Sequence, residues 1–137
     1  MDMKKICAII GDFYHNPETL AKAIKNLPDR KRWELFLHKE EGFPRRALER
    51  MDLLILARMG RLRPEESDDR WCSESDERFI FDFVEQGGSL LALHAALASY
   101  TPNGPLHMLM RGHFLHHPPL HPAVQYLVLE ANGEGTC

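Results

Sequence analysis

Short apolar runs separated by amphipathic stretches recur along the chain, the pattern of strands alternating with helices. Residues 5–10 are apolar and β-branched and end at Gly11, which predicts a first strand. Asn16, Pro17 and Glu18 then open a helix. Asn16 is suited to capping, Pro17 to the first helical position, and Glu18 to the positive end of the helix dipole. Leu20, Ala21, Ile24 and Leu27 give it one apolar face, and Pro28 is expected to stop it. Residues 33–38 partly alternate and predict a second strand nearer the sheet edge, followed by a short helix over 44–50.

Residues 52–57, DLLILA, predict a third strand buried on both faces. Residues 58–73 are charged and aperiodic and are expected to form a long loop. Ser73 or Ser75 caps the next helix, whose expected buried stripe is Phe79, Ile80, Phe83 and Val84. Gly87 and Gly88 are expected to end it, because glycine accepts the left-handed conformation found past helix C-termini. Leu90, Leu91 and Leu93 predict a fourth strand, also central and covered on both faces. A short helix, another over 106–110, and a fifth strand over 124–129 complete the expected order. Alternating elements imply parallel pairing, hence an α/β fold: a flavodoxin-like doubly wound sheet of about five strands with helices on both faces.

The segment GGSLLALHAALASY carries the most chemistry. His94 falls where the fourth strand ends, with Ala92 and Ala96 two positions to either side. A side chain thrust out on a sharp strand-to-helix turn requires small neighbours at those positions, as in a nucleophile elbow. Here the elbow residue is histidine, not serine or cysteine. In open parallel sheets ligands sit outside the carboxyl ends of the strands. The corresponding residues are 11–15, 58–60 and His94.

These segments resemble the trehalose-utilisation (ThuA-like) family, a branch of the class I glutamine amidotransferase-like fold. The residues that carry the likeness are Gly11-Asp12-Phe13-Tyr14-His15, DLLILARMG, FDFVEQGGSLLALHAALASY and LHMLMRGHFLHHPP. It spans about residues 4–129 of a chain of 137. The resemblance implies a single domain and a carbohydrate-related ligand. It does not imply glutaminase activity, since amidotransferases of this fold use an elbow cysteine. The family domain extends well past the fifth strand, so a short or truncated form is expected here.

His94 has two readings: a strand-end histidine satisfying nearby backbone groups, or a catalytic residue for acid–base work, ligand contact or metal ligation. His15 is either a surface histidine or its partner across neighbouring strand ends, and the topology predicts that the two approach one another. Asp12 can orient a histidine or a sugar hydroxyl, or bond its own turn. Arg58 starts where a carboxylate or phosphate could sit. Arg61 and Arg63, followed by Glu65, Glu66, Asp68 and Asp69, read as a solvated, self-neutralising loop. His113, His116, His117 and His121 cluster, and His116 or His117 is expected to be the next imidazole after the pair. They lack a metal-ligand spacing, so a proline-shaped loop is favoured and no metal is assigned.

Composition narrows the partners. A net charge of −3 argues against a nucleic-acid binder. No apolar run is long enough for a membrane span or signal peptide, which makes the cytoplasm the expected compartment. Three cysteines without CxxC spacing suggest neither a disulfide framework nor a zinc site. No dinucleotide, P-loop or serine-hydrolase motif is present, so no cofactor is assigned. The expected partner is a small polar molecule such as a sugar derivative. The rival is a non-catalytic binding or oligomerising module, with homo-oligomers promoted by apolar surface at Tyr126, Leu127, Val128 and Leu129.

Overall fold

A computed structural model describes residues 3–116 of the protein. Four strands pair in parallel in the order β2-β1-β3-β4: β1 (Lys4–Ile10), β2 (Trp33–His38), β3 (Leu53–Ala57) and β4 (Ser89–Ala92). The helices are α1 (Pro17–Lys25), α2 (Arg45–Leu48), α3 (Glu74–Glu85) and α4 (Pro105–Met110). The α/β class and parallel pairing therefore follow the alternation in the sequence. The expected fifth strand, and the apolar positions from Tyr126 to Leu129, lie outside the described residues. No helix among the described residues is long and apolar enough to cross a membrane.

Successive strand residues point to opposite faces, and they divide the core in two. Cys7, Ile9, Leu54 and Leu56 pack with Leu48, Trp71, Ile80 and Leu106 on one face. Ala8, Ile10, Ile55 and Ala57 pack with Ala21 and Ile24 of α1 on the other. Because β1 from Ile6 onward and β3 are covered on both sides, these segments are continuous apolar runs with no polar alternation.

The helix signals act as expected. The Asn16 side chain accepts the Glu18 N–H at 2.8 Å. Ser73, not Ser75, caps α3 and forms a reciprocal capping box with Asp76. Gly87 ends α3 with φ +102°, a conformation costly for any other residue. Leu27, however, lies beyond the end of α1 and is 48% exposed, because the helix stops at Lys25, three residues before the proline.

One further expectation is corrected. Among the described residues β4 pairs with β3, and the fifth strand expected to make it central lies outside them. β4 is not covered on both faces. Leu91 pairs in register with Ile55, on the face that α1 covers, but lies one strand further out and remains 44% exposed. The nine residues of α1 bury the middle strands and leave the β4 flank open.

Candidate functional site at the strand ends

The turn at His94 is strained. Leu93 is still extended, and its N–H continues the sheet ladder onto the Leu56 carbonyl at 2.8 Å. The backbone then reverses at His94, whose φ is +45°, and enters a 3₁₀ turn, His94–Leu97, where an α-helix was expected. A positive φ on a residue with a Cβ costs about 1–2 kcal/mol, and such strain concentrates at functional positions. Ala96, two residues on, is fully buried, as the tight turn demands.

The end of β3 braces that turn. The Gly60 N–H donates to the Ala98 carbonyl at 2.9 Å. A Cβ on Gly60 would lie 2.2 Å from the Ser99 carbonyl oxygen, so only glycine permits this approach. The Tyr100 hydroxyl, deeply buried, donates to the Arg58 carbonyl at 2.6 Å. Burial raises its pKa well above the ordinary tyrosine value.

At the end of β1, Asp12 organises the loop. Its Oδ1 accepts the Tyr14 N–H at 3.0 Å and the His15 N–H at 3.1 Å. Its Oδ2 accepts the Met59 N–H at 3.1 Å, tying β1 to β3. Oδ1 also lies 2.6 Å from Nδ1 of His15. Asp12 is thus both the turn residue and the carboxylate that orients a histidine. Its side chain is 2% exposed, against 42% for His15.

His15 and His94 meet. Their Nε2 atoms are 3.1 Å apart, and the rings stand edge to face with centroids separated by 4.8 Å. With the Asp12 carboxylate on Nδ1, a neutral His15 carries its proton there and presents a bare Nε2. That lone pair then accepts the Nε2–H of His94. The result is a continuous chain, Asp12–His15–His94, ending at an exposed ring whose Nδ1 has no partner among the described residues. Two facing imidazole nitrogens, one ring held by a carboxylate, also supply two metal-donor atoms. No group of three potential ligands occurs among the described residues.

Arg58 is not a free fork. It is 4% exposed, and its Nε, NH1 and NH2 donate to the carbonyls of Gly11, Glu40 and Ile10 at 2.6, 2.6 and 2.8 Å. Its guanidinium also stands 5.2 Å from the centre of the Trp71 ring. Arg58 therefore fastens the ends of β1 and β2 to β3, and burial lowers its pKa. His116 is exposed and makes no hydrogen bond to the pair among the described residues; His117 lies outside them. The preceding segment returns to the elbow instead, where the Phe114 N–H donates to the Leu97 carbonyl at 2.8 Å.

Three residues gain importance only in the structure. Trp71, set among charged residues, is 5% exposed and donates its indole N–H to the Met59 carbonyl at 2.8 Å. A tryptophan in an otherwise polar loop was the available signal. Glu77 is fully buried in α3, its Oε1 accepting the Thr101 N–H at 2.8 Å behind the elbow. Tyr14, half-exposed, donates its hydroxyl to Glu65 at 3.2 Å and so ties the β1 loop to the β3 loop.

Compared with known proteins, the chain matches no family model, no curated protein and no solved structure.

Proposed function

We propose that the chain is a ThuA-like domain that binds a small polar, carbohydrate-related ligand at the strand ends, with His94 as its acid–base residue. The observation that carries this is the Asp12–His15–His94 chain, with contacts of 2.6 and 3.1 Å. A substrate hydroxyl would give its proton to Nδ1 of His94 while the Nε2 proton passes to Nε2 of His15. The Asp12 carboxylate stabilises the imidazolium so formed, as a carboxylate does in hydrolase triads. The histidine occupies the position of a nucleophile but works as a relay terminus. The finer architecture we propose is a flavodoxin-like doubly wound sheet of about five strands. Its support is the β2-β1-β3-β4 order and the packing of helices on both faces.

The test is titration of the protein with glucose and trehalose, followed by amide and imidazole NMR shifts. His15 and His94 resonances should move on binding, and His94→Ala should weaken binding by about tenfold or more, a loss of roughly 1.4 kcal/mol, while the fold persists. Unchanged sugar binding in His94→Ala would end the proposal.

A second reading, a non-catalytic oligomerising module, is favoured by Leu91 at 44% exposure. Sedimentation of the intact chain decides it. A dimer dispersed by Leu91→Lys supports this reading, and a monomer at high concentration removes it.

A further inference from the structure

Beside the histidine chain, on the other side of Asp12, the ends of β1, β2 and β3 enclose a cleft of ≈ 390 Å³. Its charge is lopsided. Lys39, Arg58, Arg61 and Arg63 line it, against the carboxylates of Asp12 and Glu41 alone. Phe13 and Trp71 supply apolar wall. The sequence pattern makes Arg61 and Arg63 a self-neutralising loop, and each does face a loop acid, Asp68 at 2.7 Å and Glu66 at 4.0 Å, but both also line the cleft.

The cations are incompletely satisfied. Nε of Arg61 and NH1 of Arg63 are shielded from solvent and have no hydrogen-bond acceptor among the described residues. The nearest carboxylate to NH1 of Arg63 is Glu41, at 3.8 Å. Buried donors without acceptors are rare and call for a ligand or water. The existing ion-pair partners are themselves on the surface: Asp68, beside Arg61, is 97% exposed, and Glu66, beside Arg63, is 68% exposed. Exposed pairs of this kind are held weakly, so an anion in the cleft can displace them. Arg58 adds a positive charge whose donors go to carbonyls, not to a carboxylate.

The geometry points to a recognition site for the anionic group, carboxylate or phosphate, of a sugar-sized ligand, held by Arg61 and Arg63 next to Asp12. This rests on the strand-end ligand site proposed above and names the class of ligand it takes. Guanidinium forks match the oxygens of both anions. The apolar wall of Phe13 and Trp71 suits the carbon face of the remaining body.

The probes are gluconate, glucose 6-phosphate and glucose, titrated into the intact chain and read from the Arg61 Nε–H and Trp71 indole N–H signals. At least one anion should bind about tenfold or more tightly than glucose, as expected for a charge-assisted pair. The preferred anion identifies carboxylate or phosphate as the source. Arg61→Gln and Arg63→Gln should each remove most of that preference, and added salt should weaken anion binding but not glucose binding. The salt series uses the unaltered protein and stands even if a variant fails to fold. Equal affinity for all three probes, no binding of either anion, or an anion preference intact in both variants would overturn the inference. Glucose binding that depends on His94 but shows no anion preference would overturn this inference and leave the histidine proposal standing. Anion binding through Arg61 and Arg63 that ignores His94→Ala would do the reverse.

Discussion

The ends of β1 and β4 hold the two halves of one histidine pair, yet they are built differently. The β1 end is fixed by hydrogen bonds: Asp12 accepts three backbone N–H groups, and Arg58 donates to three carbonyls. The β4 end is fixed by backbone geometry: His94 sits at φ +45° in the turn just past the strand, braced by the close approach of Gly60. The difference assigns the roles. A buried polar network holds His15 in one orientation, while the strained turn exposes His94 to whatever enters from solvent.

Removing Arg58 tests the bonded half and carries the largest expected effect. Arg58→Met leaves three carbonyls without their donors, and unfolding in urea should show a loss of roughly 2–4 kcal/mol. Arg58→Lys should recover only part of this, since an ammonium lacks the planar fork that reaches all three. A loss as small as a surface substitution gives would mean that the β1 end is not organised by this residue.

Replacing His94 by Gly tests the strained half. Relief of the positive φ contributes about 1–2 kcal/mol, partly offset by about 0.5–1 kcal/mol of extra backbone entropy. Thermal melting should therefore show a slightly more stable protein, by roughly 0.5–1 kcal/mol, that has lost its ligand response. A clear destabilisation would mean that the His94 ring supports the fold.

The smallest effect concerns the segment that returns to the elbow. His107 stacks on His113 with ring centroids 4.3 Å apart and accepts the Asn103 N–H at 3.2 Å. Burial, then the neighbouring His113, lowers its pKa below the ordinary 6.5. The folded state therefore binds this proton less readily than the unfolded one. Its contribution is complete above about pH 6.5 and is lost as pH falls from there toward the folded value. Protection of the Phe114 amide against hydrogen exchange, taken relative to the base-catalysed intrinsic rate at each pH, should fall as pH drops over that range, and His107→Gln should flatten the dependence. A protection factor that does not change with pH in the unaltered protein would remove this device.

The two ends also differ in how far the sequence reveals them. The elbow was legible because its rule is local: an apolar run, a polar residue, and alanines at fixed spacing. The approach of His15 to His94 followed from parallel strands ending on one side. Arg58 was legible as a strand-end residue but not its role as a clasp, nor the neighbouring cleft, because donors that reach the carbonyls of Gly11 and Glu40 depend on tertiary placement. Arg61 and Arg63 carry their acidic neighbours in sequence and face them in the structure, so only the fold shows that both also line the cleft that Asp12 borders. The open β4 flank was missed for a similar reason: a leucine run predicts a strand but not how far a nine-residue helix extends across the sheet.

The relay from Asp12 through His15 to His94 is tested most directly by the positions of the imidazole protons. Long-range ¹H–¹⁵N correlations should be recorded at about pH 8, above the ordinary histidine range. His15 should carry its proton on Nδ1 with a bare Nε2, and His94 should carry its proton on Nε2. A His15 protonated on Nε2 instead, with no proton shared toward Asp12, would contradict the account.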